Sequence, residues 1–452
     1  MTIPNTRPWR YRALALAAFV IAQLIVLAVP LKMEEPGDWG FQYAARNFAQ
    51  GHLSLTDEQY IEQYFETEDA GGYLYSYGRV AEDCWALTWA PGYVFYLMPF
   101  ECINVPQLGA SLLSMGLVAV LYLLLARLKD EKTALLGVVL LLFTPLYLAM
   151  WQRVYMDAFA ALALCGMGGG LYLYYWLNRA RLSLRIGTVI LFAAGLLLLA
   201  SVAVRYTNAV IAAVFGIHFL VMAIRLHLRR ERFLPLGLFF VLGAVLPLSG
   251  LLIYQGVVFG APFNSGSGVA QLPVHFVWDY APEYTFKIVR GNIIQLWAPL
   301  LTAMPIIMAA TPSLAAITYG KGFFSRRPDI CPELPVHIYH VLWGWLVAVF
   351  GLYVMYEWAA FQAGGQLPFP LLTRFYLPAL FPLVIITALM FRRVSTKLWG
   401  GALAVLVVLG VVFFVQASRI RVQFMTEVFP PSLSLPASSE MAPEALLEEV
   451  RL

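Results

Sequence analysis

The chain has 452 residues, of which 61% are hydrophobic and 12% charged, and its formal net charge is +4. A soluble protein of this length carries about twice that charged fraction, so the composition excludes an ordinary soluble enzyme, and we expect no nucleic-acid partner. The apolar residues fall in long runs, and many reach the roughly 20 residues that a helix needs to cross about 30 Å of hydrocarbon. The sequence therefore predicts an all-α, polytopic integral membrane bundle.

We predict about eleven membrane helices, with boundaries that err by a few residues. In chain order they lie at roughly 13–31, 107–126, 134–151, 157–177, 186–204, 208–224, 234–258, 296–318, 338–359, 375–391 and 398–416. With the N-terminus inside, the cytoplasmic loops hold most of the 30 Lys and Arg residues, as the positive-inside rule requires. The Arg-rich N-terminal stretch lacks a clear cleavage site and predicts an uncleaved first span.

The first outer loop, about residues 32–106, is the largest soluble segment. Aromatic and apolar residues recur in it at helical spacing and predict a helix from Asp38 to Gln50. The apolar stretch from Pro91 to Phe100 is too short to span the membrane and contains Tyr residues, which favour the membrane interface. The sequence thus predicts a long extracytoplasmic loop of juxtamembrane helices.

The remaining organisation is simpler. A later outer loop, about 260–295, is rich in Gly and Ser at its start and aromatic further on. We predict one membrane domain over residues 1–420 and a disordered Pro/Ser-rich tail over 421–452.

The cysteines give little information about function. Cys84 and Cys102 both fall outside, where they could form a disulfide or remain free. The sequence has no cysteine or histidine spacing that is typical of a metal site.

Ionisable residues at membrane level are candidates for a functional site, because each costs roughly a few kcal/mol to place there. The predicted topology brings two carboxylates and three guanidiniums to one outer boundary. They are Asp38, Asp157, Arg153, Arg205 and Arg374. This combination indicates a site for an anionic substrate and for acid–base chemistry.

Each of these residues also has a purely structural interpretation. Asp38 and Asp157 could cap their helices, since an acid in the first turn is favourable there. Arg153, four residues before Asp157, could be its local ion-pair partner. Arg205 and Arg374 could extend their side chains to lipid headgroups. The sequence leaves these alternatives open.

Six stretches of the chain, in this order, resemble the GT-C superfamily of membrane glycosyltransferases, near the protein O-mannosyltransferases and the lipid A aminoarabinose transferases. They are GDWGFQYAARNFAQGHL, WAPGYVFYLMPF, TPLYLAMWQRVYMDAFAALAL, VAVRYTNAVIAAVF, FGAPFNSGS and LLTRFYLPALFPLV. The resemblance implies a polyprenyl-phosphate sugar donor and an essential acid soon after the first helix, which Asp38 matches. Asp157 matches the acid of the second outer loop, and Arg374 matches the arginine before the P-x-x-x-P segment.

The chain departs from this family at two positions. Relatives often have Asp-Glu where this sequence has Asp38 and Trp39, and some have Lys-Pro where it has Ala90 and Pro91. The lysine of such relatives lies near the donor phosphate. Arginines would have to supply that contact here.

These observations predict a glycosyltransferase at the outer face of a prokaryotic plasma (inner) membrane, with its active site towards the periplasm. Asp38 would take the proton from the acceptor hydroxyl, and direct displacement would invert the anomeric configuration. Asp157 would be the second carboxylate that a retaining mechanism needs. Arg374, then Arg205 and Arg153, would bind the donor phosphate. No cofactor is required, although a divalent metal that bridges carboxylates and phosphate stays open.

Three other functions remain alternatives. A transporter or lipid-linked-sugar flippase tends to show paired repeats, and we find none. An O-antigen polymerase or ligase usually has its large outer loop late in the chain. A catalytically inactive relative that serves as an assembly subunit is kept open by the missing lysine. Besides the donor, the expected partners are membrane lipids and a lipid, glycan or protein acceptor; the sequence identifies neither that acceptor nor the sugar.

Overall fold

The computed structural model describes residues 9–29, 36–60, 77–155, 157–228, 234–269, 335–356 and 374–391, with short pieces of helix between 401 and 415. Six helices of these residues are long and apolar enough to cross a membrane, or seven if a bent pair is one span. The protein is therefore an integral membrane protein built from helices, as predicted. The total of eleven spans stays a prediction. The predicted span 296–318 and the tail 421–452 lie outside the described residues.

In chain order the helices are α1 (Trp9–Ala28), α2 (Pro36–Ala49), α3 (Gly92–Cys102), α4 (Pro106–Leu128), α5 (Glu131–Leu142), α6 (Pro145–Gln152), α7 (Asp157–Asn178), α8 (Leu184–Val204), α9 (Ala209–Leu228), α10 (Leu234–Phe259), α11 (Gly266–Val269), α12 (Val336–Met355) and α13 (Leu380–Phe391). Two 3-10 turns, Tyr206–Asn208 and Arg374–Ala379, precede α9 and α13. Strands β1 (Ser54–Leu55), β2 (Tyr77–Ala81) and β3 (Cys84–Leu87) lie between α2 and α3.

Helix α7 forms the centre of the bundle. In the most apolar 18 residues of α7, 83% of the residues are buried. The corresponding share is 22% in α1, α9 and α10, which expose apolar side chains as lipid-facing helices do. Small residues allow the helices to approach closely, as is common in membranes. Gly195 of α8 and Gly243 of α10 form a reciprocal contact, in which an added Cβ would lie 2.1 Å from a backbone oxygen of the facing helix. The central position of α7 places its first residue, Asp157, among several neighbouring elements.

The predicted span 134–151 is not one continuous helix. It is divided into α5 and α6, which meet at an angle of 61°. Pro145 begins α6 and has no N–H to donate, and a residue before proline disfavours the helical conformation. Thr144 at the break donates its hydroxyl to the carbonyl of Leu140 at 2.6 Å, so the interruption leaves that oxygen satisfied. The predicted helix 134–151 is therefore corrected to a bent pair of helices.

The first outer loop contains a small sheet as well as the predicted helices. Helices α2 and α3 lie within two residues of the predicted bounds, and the antiparallel sheet between them has the strand order β1-β3-β2. Asp57 accepts hydrogen bonds from Arg79 at 2.9 Å and from the indole of Trp85 at 2.7 Å, which joins β2 and β3 to the segment after β1. The prediction of helices alone is corrected here, because strands of two to five residues leave too little alternation to detect. Cys84 and Cys102 are both free thiols.

The orientation of the bundle is testable with single cysteines in a variant whose native cysteines are replaced by serine. We expect Glu82→Cys, in the exposed turn between β2 and β3, to react with an impermeant maleimide added outside intact cells. We expect Ala180→Cys, in the exposed link between α7 and α8, to react only after the membrane is made permeable. The reason is the excess of Lys and Arg in the loops on the side of Ala180. The reverse labelling pattern would overturn the orientation.

Candidate active site

Two of the predicted site residues form an ion pair at one end of the bundle. Asp157 begins α7 and Arg205 directly follows α8, so the packing of these two helices brings the side chains together. Nε of Arg205 lies 3.4 Å from Oδ2 of Asp157, and the side chains are 12% and 19% exposed. The start of a helix also favours an acid. The carboxylate therefore holds a nearly buried guanidinium in place.

A second arginine, Arg374, contacts the same aromatic ring as Arg205. The Cζ atoms of Arg205 and Arg374 lie 5.1 Å and 5.3 Å from the centre of the Phe375 ring. Such contacts between a cation and a ring are attractive, and more so away from water. Tyr353 of α12 packs on the same ring, with 5.4 Å between the centroids. Two guanidiniums that are distant in the sequence therefore lie against one buried phenyl group.

Arg205 has hydrogen-bonding capacity that the described residues do not use. Its Nη1 atom is buried and has no hydrogen-bond partner among them. A guanidinium has five N–H donors in a planar fork, which matches the oxygens of a phosphate or carboxylate. The free Nη1 edge is therefore suited to an anionic ligand that enters this end of the bundle.

Asp38 lies in the first turn of α2, and its side chain is outside the part of the chain that the structure describes. The helix itself follows the predicted pattern, since the aromatic and apolar positions with helical spacing are all buried. They are Phe41, Ala44, Ala45 and Phe48. Phe41 meets Tyr93 of α3 edge to face, with ring centroids 5.6 Å apart. Packing on α3 thus determines where α2 lies in the outer loop.

Two close approaches hold the first outer loop in place, one to the bundle and one to the segment after α10. A Cβ at Gly92 would lie 2.6 Å from the carbonyl carbon of Ala203, two residues before Arg205. A Cβ at Gly266 would lie 2.4 Å from the carbonyl oxygen of Leu87 on β3. The WAPG and FNSGS stretches of the sequence therefore place glycine where two backbones meet. The first of these contacts brings α3 to the segment that carries Arg205.

Arg153, the fifth predicted residue, lies between α6 and α7 and is 1% exposed. The sequence allowed Arg153 as the local partner of Asp157, and the structure shows Arg205 in an ion pair with Asp157. Phe375 was missed by sequence reasoning; its only signal is its place next to Arg374. Among the described residues, no three His, Cys, Asp or Glu side chains lie close enough together to hold a metal ion.

No family model and no curated protein matches the sequence. The structure is similar to the crystal structure of ArnT from Cupriavidus metallidurans bound to undecaprenyl phosphate, with a TM-score of 0.51 and 14% sequence identity. The match covers 96% of this chain and 66% of the ArnT chain, so this protein spans about two thirds of the length of that structure. The likeness confirms the polytopic helical fold that the resemblance of the six sequence stretches implied.

Proposed function

We propose that this protein is a membrane glycosyltransferase that transfers a sugar from a polyprenyl-phosphate donor to an acceptor hydroxyl. The observation that carries the proposal is that Arg205, paired with Asp157, and Arg374 both lie over the Phe375 ring, and that no described residue uses a buried donor of Arg205. The similarity in fold to a structure that binds undecaprenyl phosphate supports the class of donor. The distribution of Lys and Arg supports a site at the outer face of a prokaryotic plasma membrane.

The chemistry requires a base and a cationic site for the leaving group. The base takes the proton of the acceptor hydroxyl while its oxygen forms a bond to the anomeric carbon. The bond from that carbon to the phosphate oxygen breaks, and the lipid phosphate leaves with the electron pair. Arg205 and Arg374 stabilise its negative charge, which arginine does with two hydrogen bonds at once. These steps need no cofactor, and a divalent metal that bridges carboxylate and phosphate stays open.

We assign the two carboxylates different roles. Asp157 is engaged by Arg205 and orients that guanidinium, so it is a positioning residue in this scheme. Asp38, which matches the essential acid of the family that the sequence resembles, is the general base. One base and a direct displacement give inversion at the anomeric carbon. A retained configuration in the product would instead favour Asp157 as a nucleophile.

The direct test is turnover by the purified protein in lipid nanodiscs. The protein is incubated with a panel of undecaprenyl-phosphate sugars and candidate lipid, glycan and peptide acceptors, and the release of undecaprenyl phosphate is measured. We expect release from a subset of the donors, and only with an acceptor present. A folded protein that binds these donors but releases lipid phosphate from none of them would contradict the proposal.

Arg374→Ala should weaken the binding of undecaprenyl phosphate about tenfold to a hundredfold, because a hydrogen bond to a charged group contributes roughly 1.5 to 3 kcal/mol. Arg374→Lys should recover part of the affinity, since lysine keeps the charge but loses the planar fork. Arg179→Ala is a matched control, because Arg179 also lies over a ring, that of Trp176, at the other end of α7. Equal affinities of Arg374→Ala and the parent protein would remove Arg374 from the site.

A further inference from the structure

A buried carboxylate outside the proposed site is held by three side chains. The side chain of Glu101, near the end of α3, is 4% exposed. Its Oε1 accepts hydrogen bonds from Nε of Arg46 at 2.9 Å and from Nε2 of Gln42 at 3.2 Å. Its Oε2 accepts one from the hydroxyl of Tyr155 at 2.9 Å. We call these four residues the Glu101 cluster.

The Glu101 cluster joins the two elements that carry the acids of the proposed site. Gln42 and Arg46 belong to α2, and Asp38 precedes Gln42 by one turn of that helix. Tyr155 lies in the segment between α6 and α7, two residues before Asp157. Gln42 also donates to the hydroxyl of Tyr155 at 3.1 Å, which closes the connection between these elements. One carboxylate thus links the backbone near Asp38 to the backbone near Asp157.

The chemistry of the Glu101 cluster favours a fixed geometry. Burial, and after it the hydrogen bond to Glu101, raises the pKa of Tyr155, so the phenol keeps its proton and donates. Arg46 is half exposed and supplies the compensating charge. A buried ion pair contributes little net stability compared with apolar residues of the same shape. The directional hydrogen bonds of Glu101, however, fix the position of α2 relative to the segment before α7.

We propose that Glu101 is a positioning residue that sets the separation of Asp38 from the pair of Asp157 and Arg205. The inference rests on the proposed function, in which those residues act together. A misplacement of about 1 Å in reacting groups costs on the order of a hundredfold in rate. Donor binding depends on the arginines and is expected to tolerate the loss of Glu101.

The alternative is that Glu101 only stabilises the bundle, and the chain contains a matched control for it. Glu131, at the start of α5, also binds an arginine and a tyrosine: Nη2 of Arg12 lies 2.7 Å from its Oε1, and Tyr122 donates to its Oε2. In this second trio, Tyr122 lies about 24 Å along the axis of α4 from Pro106, the end of that helix next to α3, and Glu131 lies three residues after its last residue, Leu128. The trio therefore has the same chemistry without contact to the proposed site.

The experiment compares Glu101→Gln and Tyr155→Phe with Glu131→Gln and Tyr122→Phe. We expect Glu101→Gln to lower kcat about tenfold to a hundredfold, with less than about a threefold change in affinity for undecaprenyl phosphate. Glu131→Gln should leave both quantities near those of the parent protein, and Glu101→Asp should recover part of kcat. The Glu101 variants should fold, because Tyr93 of α3 still donates to the carbonyl of Val154 next to Tyr155.

Hydrogen exchange separates this inference from the proposed function. Glu101→Gln should speed amide exchange in α2 and in residues 153–155, whereas Glu131→Gln should not, whether or not the protein turns over. Inactivity of the parent protein with all donors counts against the proposed function alone. The positioning role is overturned by unchanged kcat in Glu101→Gln, by an equal loss in Glu131→Gln, or by unchanged exchange in α2.

Discussion

Asp38→Asn is expected to reduce turnover about a hundredfold to ten-thousandfold, the range that the loss of a positioned general base typically costs. Asparagine keeps the size and shape of the side chain but does not accept the proton of the acceptor hydroxyl. The affinity for undecaprenyl phosphate should change little, because the arginines bind the phosphate. Initial rates with saturating donor and acceptor, measured beside donor affinity, distinguish these two effects.

The same substitution separates the catalytic role of Asp38 from a purely structural one. Asp38 is the third residue of α2, so a purely structural role would be an interaction with the helix dipole of roughly 0.3 to 1 kcal/mol, and its loss should leave turnover almost intact. Asp130 provides the comparison, since it is the N-cap of α5 and its side chain accepts a hydrogen bond from the amide of Thr133 at 2.7 Å. Asp130→Asn should leave turnover intact. A folded Asp38→Asn protein that turns over like Asp130→Asn would end the assignment of Asp38 as the base.

Arg205→Ala is expected to affect both stability and donor binding. It removes one partner of a largely buried ion pair and leaves Asp157 uncompensated, which should lower the free energy of unfolding by roughly 3 kcal/mol. It also removes the buried Nη1 donor that no described residue uses, which we assign to the donor phosphate, so the affinity for undecaprenyl phosphate should fall by at least about tenfold. From the sequence we expected Arg374 to contribute more than Arg205 to phosphate binding. Its burial against Asp157 leads us to expect the larger total effect at Arg205.

A double variant distinguishes the two effects of Arg205→Ala. Arg205→Ala combined with Asp157→Ala leaves no uncompensated charge, so the thermal midpoint should recover in part. Donor affinity and turnover should stay low, because the guanidinium is still missing. Recovery of donor affinity in the double variant would mean that Arg205 acts only by neutralising Asp157.

Several features of this protein follow from local properties of the sequence. Long apolar runs determine most of the membrane helices, since each must satisfy its own backbone hydrogen bonds in hydrocarbon. The spacing of Phe41, Ala44, Ala45 and Phe48 identifies both the helix α2 and its buried face. The order of the six family-like stretches predicted the GT-C-type fold. These signals lie within single segments of the chain, so they are readable without tertiary structure.

The tertiary structure alone decided which side chains meet. The sequence placed Asp157, Arg205 and Arg374 at one depth, but it did not show that one pair is ionic or that both guanidiniums flank Phe375. The connection of Glu101 to Tyr155 likewise had no sequence signal. The depth of a residue in the membrane depends on the hydropathy of its own helix. Contacts between side chains depend on how several helices rotate and pack around their neighbours. That arrangement arises from close packing between segments distant in the chain, which no local pattern encodes.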